Sequence, residues 1–327
     1  GWRRIMYEEF IKAVVNSEII CLISHQNPDG DTCGSALALY RALKLFGKEQ
    51  VYIYCDGIFR NSLQVLDGID EYNKSRVDKC DLAIACDCAE YDRMGVYLEL
   101  FNKARFRVNI DHHKTNSKYG NINIIEPGVS ATCEVMYKII KALDQKKACL
   151  DDVVAKLLYS GLVTDSGGFS FSNVSSQTHE IASKLIAYDF SASDICEHFL
   201  KKVSFNVFNL RMRALSKAKF FEDGKIGLIY FSQEDFLATD TAPEDTEGAI
   251  NYIRDIDTVE VAAAITQTRQ SNSYKVSIRT SDRVDASRIA SVFGGGGHKN
   301  AAGCRISGFY EDVKDKLLKA CSDELYQ

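Results

Sequence analysis

Proline is scarce in this chain, with three in 327 residues, and there is no low-complexity tract, internal repeat or long charge run. A stiff or disordered linker is thereby excluded, and both halves read as compact. No apolar run approaches the ~20 residues needed to cross a bilayer. An excess of positive charge is also lacking: 40 Lys and Arg against 45 Asp and Glu leave a formal net charge of -5. That balance excludes a protein that coats long nucleic acid by neutralising its phosphates, while leaving room for a small anionic substrate in a local positive site. The paired C-x-x-C spacing of structural zinc sites is missing as well. Cysteine itself is plentiful at 11, an odd number, and Cys21, Cys55, Cys86 and Cys133 sit in apolar runs. With no targeting pattern legible at Gly1-Trp2-Arg3-Arg4-Ile5, these read as reduced thiols of a cytoplasmic protein.

What is present is an apolar fraction of 46%, enough for one large or two medium cores. The first part alternates β-type runs with helical patterns. Ile19 to Ser24, Val51 to Cys55, Asp81 to Cys86 and Phe106 to Ile110 read as strands, and Thr32 to Phe46 reads as an amphipathic helix. Such alternation predicts βαβ units and a mainly parallel sheet. Apolar residues at three- and four-residue spacing predict covering helices at Ala131 to Leu143, Asp152 to Val163 and Gln177 to Ala187. A helical, charged stretch at 190–219 reads as a connector. The remainder restarts with strands at Ile226 to Phe231, Val259 to Thr266 and Tyr274 to Thr280, and with helices at Thr246 to Ile253, Asp285 to Phe293 and Glu311 to Leu325. The expected layout is a catalytic α/β domain at 1–189, the connector at 190–219 and a smaller α/β domain at 220–327.

Four segments place acidic or imidazole side chains at the expected end of an apolar strand: His25-Gln26-Asn27-Pro28-Asp29-Gly30-Asp31, Asp87, Asp111-His112-His113 and Asp165. In open α/β sheets, ligands gather outside the carboxyl ends of the strands. Asp29 and Asp31 follow turn formers, and Gly30 permits the backbone angles that let both carboxylates reach neighbouring ions. Asp87 ends a buried strand and must find water, a cation or donors, with a helix N-cap as its plainer role. Asp165 follows the helical run Leu157 to Val163, where the helix dipole disfavours a carboxylate unless a cation is near. Oxygen and imidazole donors without thiolate suit manganese, with magnesium, cobalt or iron(II) as alternatives. Cys86 and Cys88, flanking Asp87, are expected to make this site sensitive to oxidation.

In the second half, Gly294-Gly295-Gly296-Gly297-His298 would let backbone N–H groups approach an anion closely. The run follows a helical pattern instead of a strand, so it is not a dinucleotide fingerprint. Arg279 adds a guanidinium able to grip phosphate with two parallel bonds, its plainer role being a surface strand arginine.

Taken together and in this order, His25-x-Asn27-Pro28-Asp29-x-Asp31, Asp87, Asp111-His112-His113 and Asp165 resemble the successive motifs of the DHH phosphoesterase superfamily. Gly294 to His298 followed by Ala301-Ala302-Gly303 resembles the signature of its DHHA1 domain. The resemblance covers nearly the whole chain, and length and layout are similar to the NrnA-type oligoribonucleases. It implies an N-terminal DHH domain, a C-terminal DHHA1 domain and an active-site cleft between them. It also implies two divalent ions, manganese by preference. His25, Asp29 and Asp87 would hold one, and Asp31, Asp87, His112 and Asp165 the other, with Asp87 shared.

The implied reaction is attack by a hydroxide shared between the metals on short RNA, giving mononucleotides, and on 3'-phosphoadenosine 5'-phosphate, giving AMP. His113 would contact the phosphoryl oxygen or protonate the leaving group, and Asp111 would orient a neighbouring histidine. Arg279, Gly294, Gly295, Gly296, Gly297 and His298 would bind substrate. A homodimer is compatible with the resemblance, and no membrane or long duplex is an expected partner. Cyclic di-AMP and pApA phosphodiesterases share the two domains and form the main alternative. A non-catalytic nucleotide-binding regulator is the second, although every expected ligand position is filled.

Overall fold

The computed structural model describes residues 2–144, 148–270 and 272–327. The chain divides into two compact units, the first ending at Lys202 and the second spanning Val203–Gln327. The stretch expected as a connector is shared between them, because Leu210 and Ala214 are fully buried in a core of the second unit.

In the first unit the strands are β1 (Ile19–Ser24), β2 (Gln50–Cys55), β3 (Leu82–Cys86), β4 (Phe106–Asp111) and β5 (Ile122–Ile125). The helices are α1 (Trp2–Val15), α2 (Gly30–Leu45), α3 (Leu98–Lys103), α4 (Thr132–Leu143), α5 (Asp152–Asp165), α6 (Ser176–Leu185) and α7 (Ala192–Cys196). All five strands run parallel in the order β2-β1-β3-β4-β5. Strand alternation feeds two cores. Ile20, Leu22, Leu82 and Ile84 pack with α2, α4 and α5 on one face. Cys21, Ile23, Ala83 and Ala85 meet Met94, Leu100 and Phe101 on the other. A sheet covered on both faces explains why its strands read as continuous apolar runs. The order reverses at β1 and β3, where Ser24 lies beside Cys86, so the ends of these two strands flank the crevice in which such sheets bind ligands.

Two local differences from expectation position the site. Helix α2 begins at Gly30 instead of Thr32, because the Asp29 side chain caps it by accepting the N–H groups of Asp31 and Thr32. Asp31 therefore lies in the first turn of a helix, not on an extended segment. Asp165 is the last residue of α5 and not a strand end. Helices α2 and α5 approach closely through glycine: a Cβ on Gly34 would fall 2.6 Å from the carbonyl oxygen of Leu157, and one on Gly161 would fall 2.8 Å from Asp31 Oδ1.

The second unit holds β6 (Lys219–Phe221), β7 (Ile226–Phe231), β8 (Val261–Gln267), β9 (Ser273–Thr280), β10 (Gly296–His298) and β11 (Ala301–Ser307), with α8 (Phe205–Leu215), α9 (Gln233–Thr239), α10 (Ala249–Arg254), α11 (Ala286–Ser291) and α12 (Tyr310–Leu325). Its mixed sheet has the order β10-β11-β9-β8-β7-β6, parallel only between β7 and β8. No helix among the described residues is long and apolar enough to cross a membrane.

Asp235 ties this unit together. Its buried carboxylate closes a capping box with Ser232 and accepts bonds from Arg213 Nε on α8 and from Lys217 Nζ just after that helix, both at 3.0 Å. Burial alone would raise its pKa, but Lys217, Ser232 and Arg213 hold it down at about 2. The folded pKa lies below the unfolded one, so the stabilisation is complete above about pH 4 and is lost as pH falls toward 2. The expected result is that Asp235→Asn lowers stability near neutrality by roughly 2 kcal/mol, and that the gap from wild type closes between pH 4 and 2. Urea midpoints of both proteins across that range check it, and parallel curves would refute it.

Candidate metal centre

The loop after β1 and the start of α2 bring three groups to one place. His25 follows β1 directly, and Asn27 takes a left-handed backbone at φ 57 that turns the chain into the Asp29 cap. Asp87 follows β3 with φ 56, a strained position for a residue with a side chain, of the order of 1–3 kcal/mol. It is not a helix cap. Its Oδ2 accepts the Thr32 hydroxyl at 2.7 Å and its Oδ1 the Thr132 hydroxyl at 2.8 Å. The two hydroxyls come from the first turns of α2 and α4, so the carboxylate is fixed from both sides.

Asp31 is fully buried and aims at the N-terminus of α4. Its Oδ2 accepts the N–H of Thr132 at 2.6 Å and its Oδ1 the N–H of Cys133 at 2.9 Å. Two donors that α4 cannot satisfy internally are thus met by a side chain from α2. Each oxygen keeps a lone pair for another partner.

His112 follows β4. Its Nδ1 lies 3.2 Å from the carbonyl of Val129, to which Nδ1–H donates, and its Nε2 faces inward. Nε2 lies 3.3 Å from Asp165 Oδ2 and 3.9 Å from Asp87 Oδ1, and it is buried without a hydrogen-bond partner. His113 turns the other way. Its Nδ1 donates to Asp111 Oδ1 at 2.7 Å, and Asn116 fixes Asp111 Oδ2 from the opposite side at 2.6 Å. A buried carboxylate held on both oxygens thus orients one histidine.

The donor atoms fall into overlapping groups whose members all lie within 4.8 Å of one another: His25, Asp29 and Asp87; Asp31, His112 and Asp165; and Asp87, His112 and His113. Four carboxylates in this space repel one another. Burial and the charges of Asp165 and Asp87 push the Asp31 carboxyl well above its usual range. Burial and the charges of Asp29 and Asp87, opposed by His112, push Asp165 up to about 6. Burial would lower His112, yet Asp165, Asp87 and Asp31 together push it up to about 11. Asp87 is held below the usual range despite burial by His25, His112 and His113.

Crowded carboxylates and an inward imidazole nitrogen with no hydrogen-bond partner fit divalent cations. The donor set of oxygen and imidazole fits a hard or borderline ion. Cys86 and Cys88 do not belong to it. Both are buried, Cys86 packs into the core beside α2, and burial pushes the Cys88 thiol up to about 12. A thiol raised in this way is inert, so the expected oxidation sensitivity at these two positions is not supported.

The remaining candidates lie in the second unit. Arg279 is on β9, beside Ala301 of β11 and Ala262 of β8, and it is half-buried with its Nη1 donating to the carbonyl of Ile278. Burial lowers its pKa. The glycine run is less of a loop than expected, since Gly296, Gly297 and His298 form the edge strand β10. Gly297, at φ 149, and Gly295 are needed because a Cβ on either would strike β11, 2.5 Å from Ala301 O and 2.3 Å from Gly303 O. Gly294 and Gly296 face open space, with nothing within 4 Å of an added Cβ.

Residues that sequence reasoning missed are Thr32, Thr132 and Asn116. A threonine in a first helical turn reads as a cap, and only the tertiary fold shows that both hydroxyls serve Asp87.

The family model described as DHH family, N-terminal domain, matches residues 19–162, and that described as DHHA1 domain matches 229–327. The chain is a DHH-DHHA1 protein. As a DHH phosphoesterase it aligns with the Thermus thermophilus protein named bifunctional oligoribonuclease and PAP phosphatase NrnA at 29% identity, over 99% of this chain and 95% of that protein. The Bacillus subtilis cyclic-di-AMP phosphodiesterase GdpP is 21% identical over 99% of this chain but only 50% of its own length. A solved structure of an exopolyphosphatase-related protein from Bacteroides fragilis shares the fold, with a TM-score of 0.89 and 23% identity over 98% of this chain and 96% of that one.

Proposed function

We propose that this DHH-DHHA1 protein uses two divalent metal ions, manganese by preference, to hydrolyse short RNA oligonucleotides to mononucleotides and 3'-phosphoadenosine 5'-phosphate to AMP. The observation that carries this reading is the pair of donor groups, His25, Asp29 and Asp87 beside Asp31, His112 and Asp165, with Asp87 close to both. His25, Asp29 and Asp87 would hold one ion, and Asp31, Asp87, His112 and Asp165 the other. When bound, such ions supply an acidified water and offset the charge on the attacked phosphate.

The chain's own residues supply the rest. Thr32 and Thr132 hold Asp87 in place, and α4 holds Asp31. Asp111 accepts the His113 Nδ1–H and favours the imidazolium, which carries a second hydrogen on Nε2 that would bond a phosphoryl oxygen or pass to a leaving group. Arg279 and the open faces of Gly294 and Gly296 would grip the anionic substrate. The full-length alignment with the Thermus thermophilus protein supports the short-RNA and bisphosphate reading over the cyclic one, since the chain spans about half of the cyclic-di-AMP relative.

The test is turnover of a matched set: a diribonucleotide, a longer RNA, 3'-phosphoadenosine 5'-phosphate, pApA and cyclic di-AMP, each with manganese and after chelation. The expected result is turnover of the diribonucleotide and the bisphosphate that chelation removes and manganese restores. Dominant turnover of cyclic di-AMP would replace this reading with second-messenger hydrolysis, and activity that survives chelation would remove the metal from it.

A further inference from the structure

The turn between β3 and α3 carries a cation that the site described above does not use. Arg93 Nη2 lies 3.0 Å from Nδ1 of His25. His25 Nδ1 is also 2.5 Å from the carbonyl oxygen of Gln26. If His25 ligates a metal through Nε2, the nitrogen that faces Asp87, its hydrogen lies on Nδ1 and goes to that carbonyl, so the guanidinium faces a second donor. No carboxylate among the described residues lies within ion-pair distance of Arg93, so with His25 in that tautomer this half-buried cation has donors to spare.

The fold fixes the cation there. The Arg93 carbonyl accepts the Gln26 N–H at 2.8 Å, which ties the turn to the end of β1. Asp56, just past β2, accepts from Gln26 Nε2 at 2.9 Å and from the Val96 N–H at 3.0 Å. Between them Gly95 takes φ 59, and a Cβ on it would fall 2.1 Å from Asp56 Oδ2, so no other residue fits without moving the turn. A guanidinium held on a rigid turn, beside a metal-ligand candidate and with donors unspent, is complementary to an anion that arrives from outside. Its placement against His25 puts it at the group formed by His25, Asp29 and Asp87.

We propose that Arg93 is a substrate-binding residue that receives a non-bridging oxygen of the phosphate ester. This rests on the phosphoesterase reading. The guanidinium replaces its unproductive approach to His25 with charge-assisted bonds to the phosphate, and no bond is made or broken at the arginine itself.

The experiment compares wild type, Arg93→Gln and Arg93→Lys in the full chain. Three quantities are measured: KM and kcat on the diribonucleotide, AMP binding by calorimetry, and manganese affinity and stoichiometry. Every variant keeps the backbone carbonyl that anchors the turn. The expected result for Arg93→Gln is a tenfold or greater rise in KM and in the AMP dissociation constant, with a smaller change in kcat and unchanged manganese binding. Arg93→Lys should recover part of the loss, because charge returns without the planar fork. Unchanged KM and AMP binding in Arg93→Gln would overturn the proposal. So would a loss of manganese affinity that accounts for the loss of activity, because Arg93 would then act through His25. Failure of the wild type to hydrolyse any phosphate ester would remove the phosphoesterase reading instead, and AMP binding equal in wild type and Arg93→Gln would separately remove this one.

Discussion

Asp87→Asn is expected to reduce hydrolysis about a thousand-fold or more, the scale on which loss of one preorganised charge-stabilising group acts, ~3–4 kcal/mol. The reason is position. Asp87 belongs to the group with His25 and Asp29, and its Oδ1 lies 3.9 Å from His112 of the other, so in the two-ion reading neutralising it weakens both ion sites at once. The fold should tolerate the change. Asparagine adopts a left-handed backbone more readily than most residues, which suits φ 56. Its amide can accept from one of the two threonine hydroxyls and donate to the other, once that hydroxyl rotates. Without metal, the variant should melt somewhat below the wild type, because His25, His112 and His113 favour the charged Asp87 in the folded state, whereas manganese should stabilise only the wild type, by ~2.7 kcal/mol when present at a hundred times its Kd. Calorimetric scans with and without manganese, run beside the activity assay, separate this outcome from a folding defect. Full activity in the variant would show that Asp87 is not shared between ions.

Gly34→Ala should lower stability, against the usual sign for a helix. Alanine in place of an ordinary helical glycine gains up to ~1 kcal/mol from backbone entropy and propensity. Here the new Cβ would meet the backbone oxygen of Leu157 at 2.6 Å and the nitrogen of Gly161 at 3.3 Å, so α2 and α5 must separate. Overpacking of this kind costs about 1–3 kcal/mol, roughly 2–4 °C in melting temperature per kcal/mol for a unit of this size. Because Asp31 lies on α2 and Asp165 on α5, separation also spreads one donor group, and manganese affinity should fall with stability. Gly161→Ala should weaken binding further, since its Cβ would fall 2.8 Å from Asp31 Oδ1 itself. A higher melting temperature for Gly34→Ala would show that the two helices have slack.

The two sheets and most covering helices were legible because their apolar periods are strong: β1, β7 and α12 lie within a residue of their expected bounds at one end or both. The short strands β5, β6 and β10 were not, since four or fewer residues, or glycines, leave no period to read. For the candidate centre, acidic and imidazole residues next to buried strands stand out because such groups are costly there unless partnered. Arg93 did not stand out. A lone arginine in a polar turn is ordinary until the fold sets it against His25. Nor did Gly34 and Gly161, whose role lies in the distance between two helices that the sequence separates by more than a hundred residues.

The bonds from Asp31 to the start of α4 also bear on how this chain could lose its chemistry. His112 presents its Nε2 to the centre alone, so its replacement would silence catalysis and leave the helices as they are. Asp31 is different: without its carboxylate, two buried N–H groups at the head of α4 are left unsatisfied, at about 1–3 kcal/mol each. A descendant that abandoned hydrolysis for nucleotide sensing would thus be expected to discard His112 early and to retain an acidic residue at position 31. An aspartate preserved there in a silent relative would be a relic of folding, not of activity.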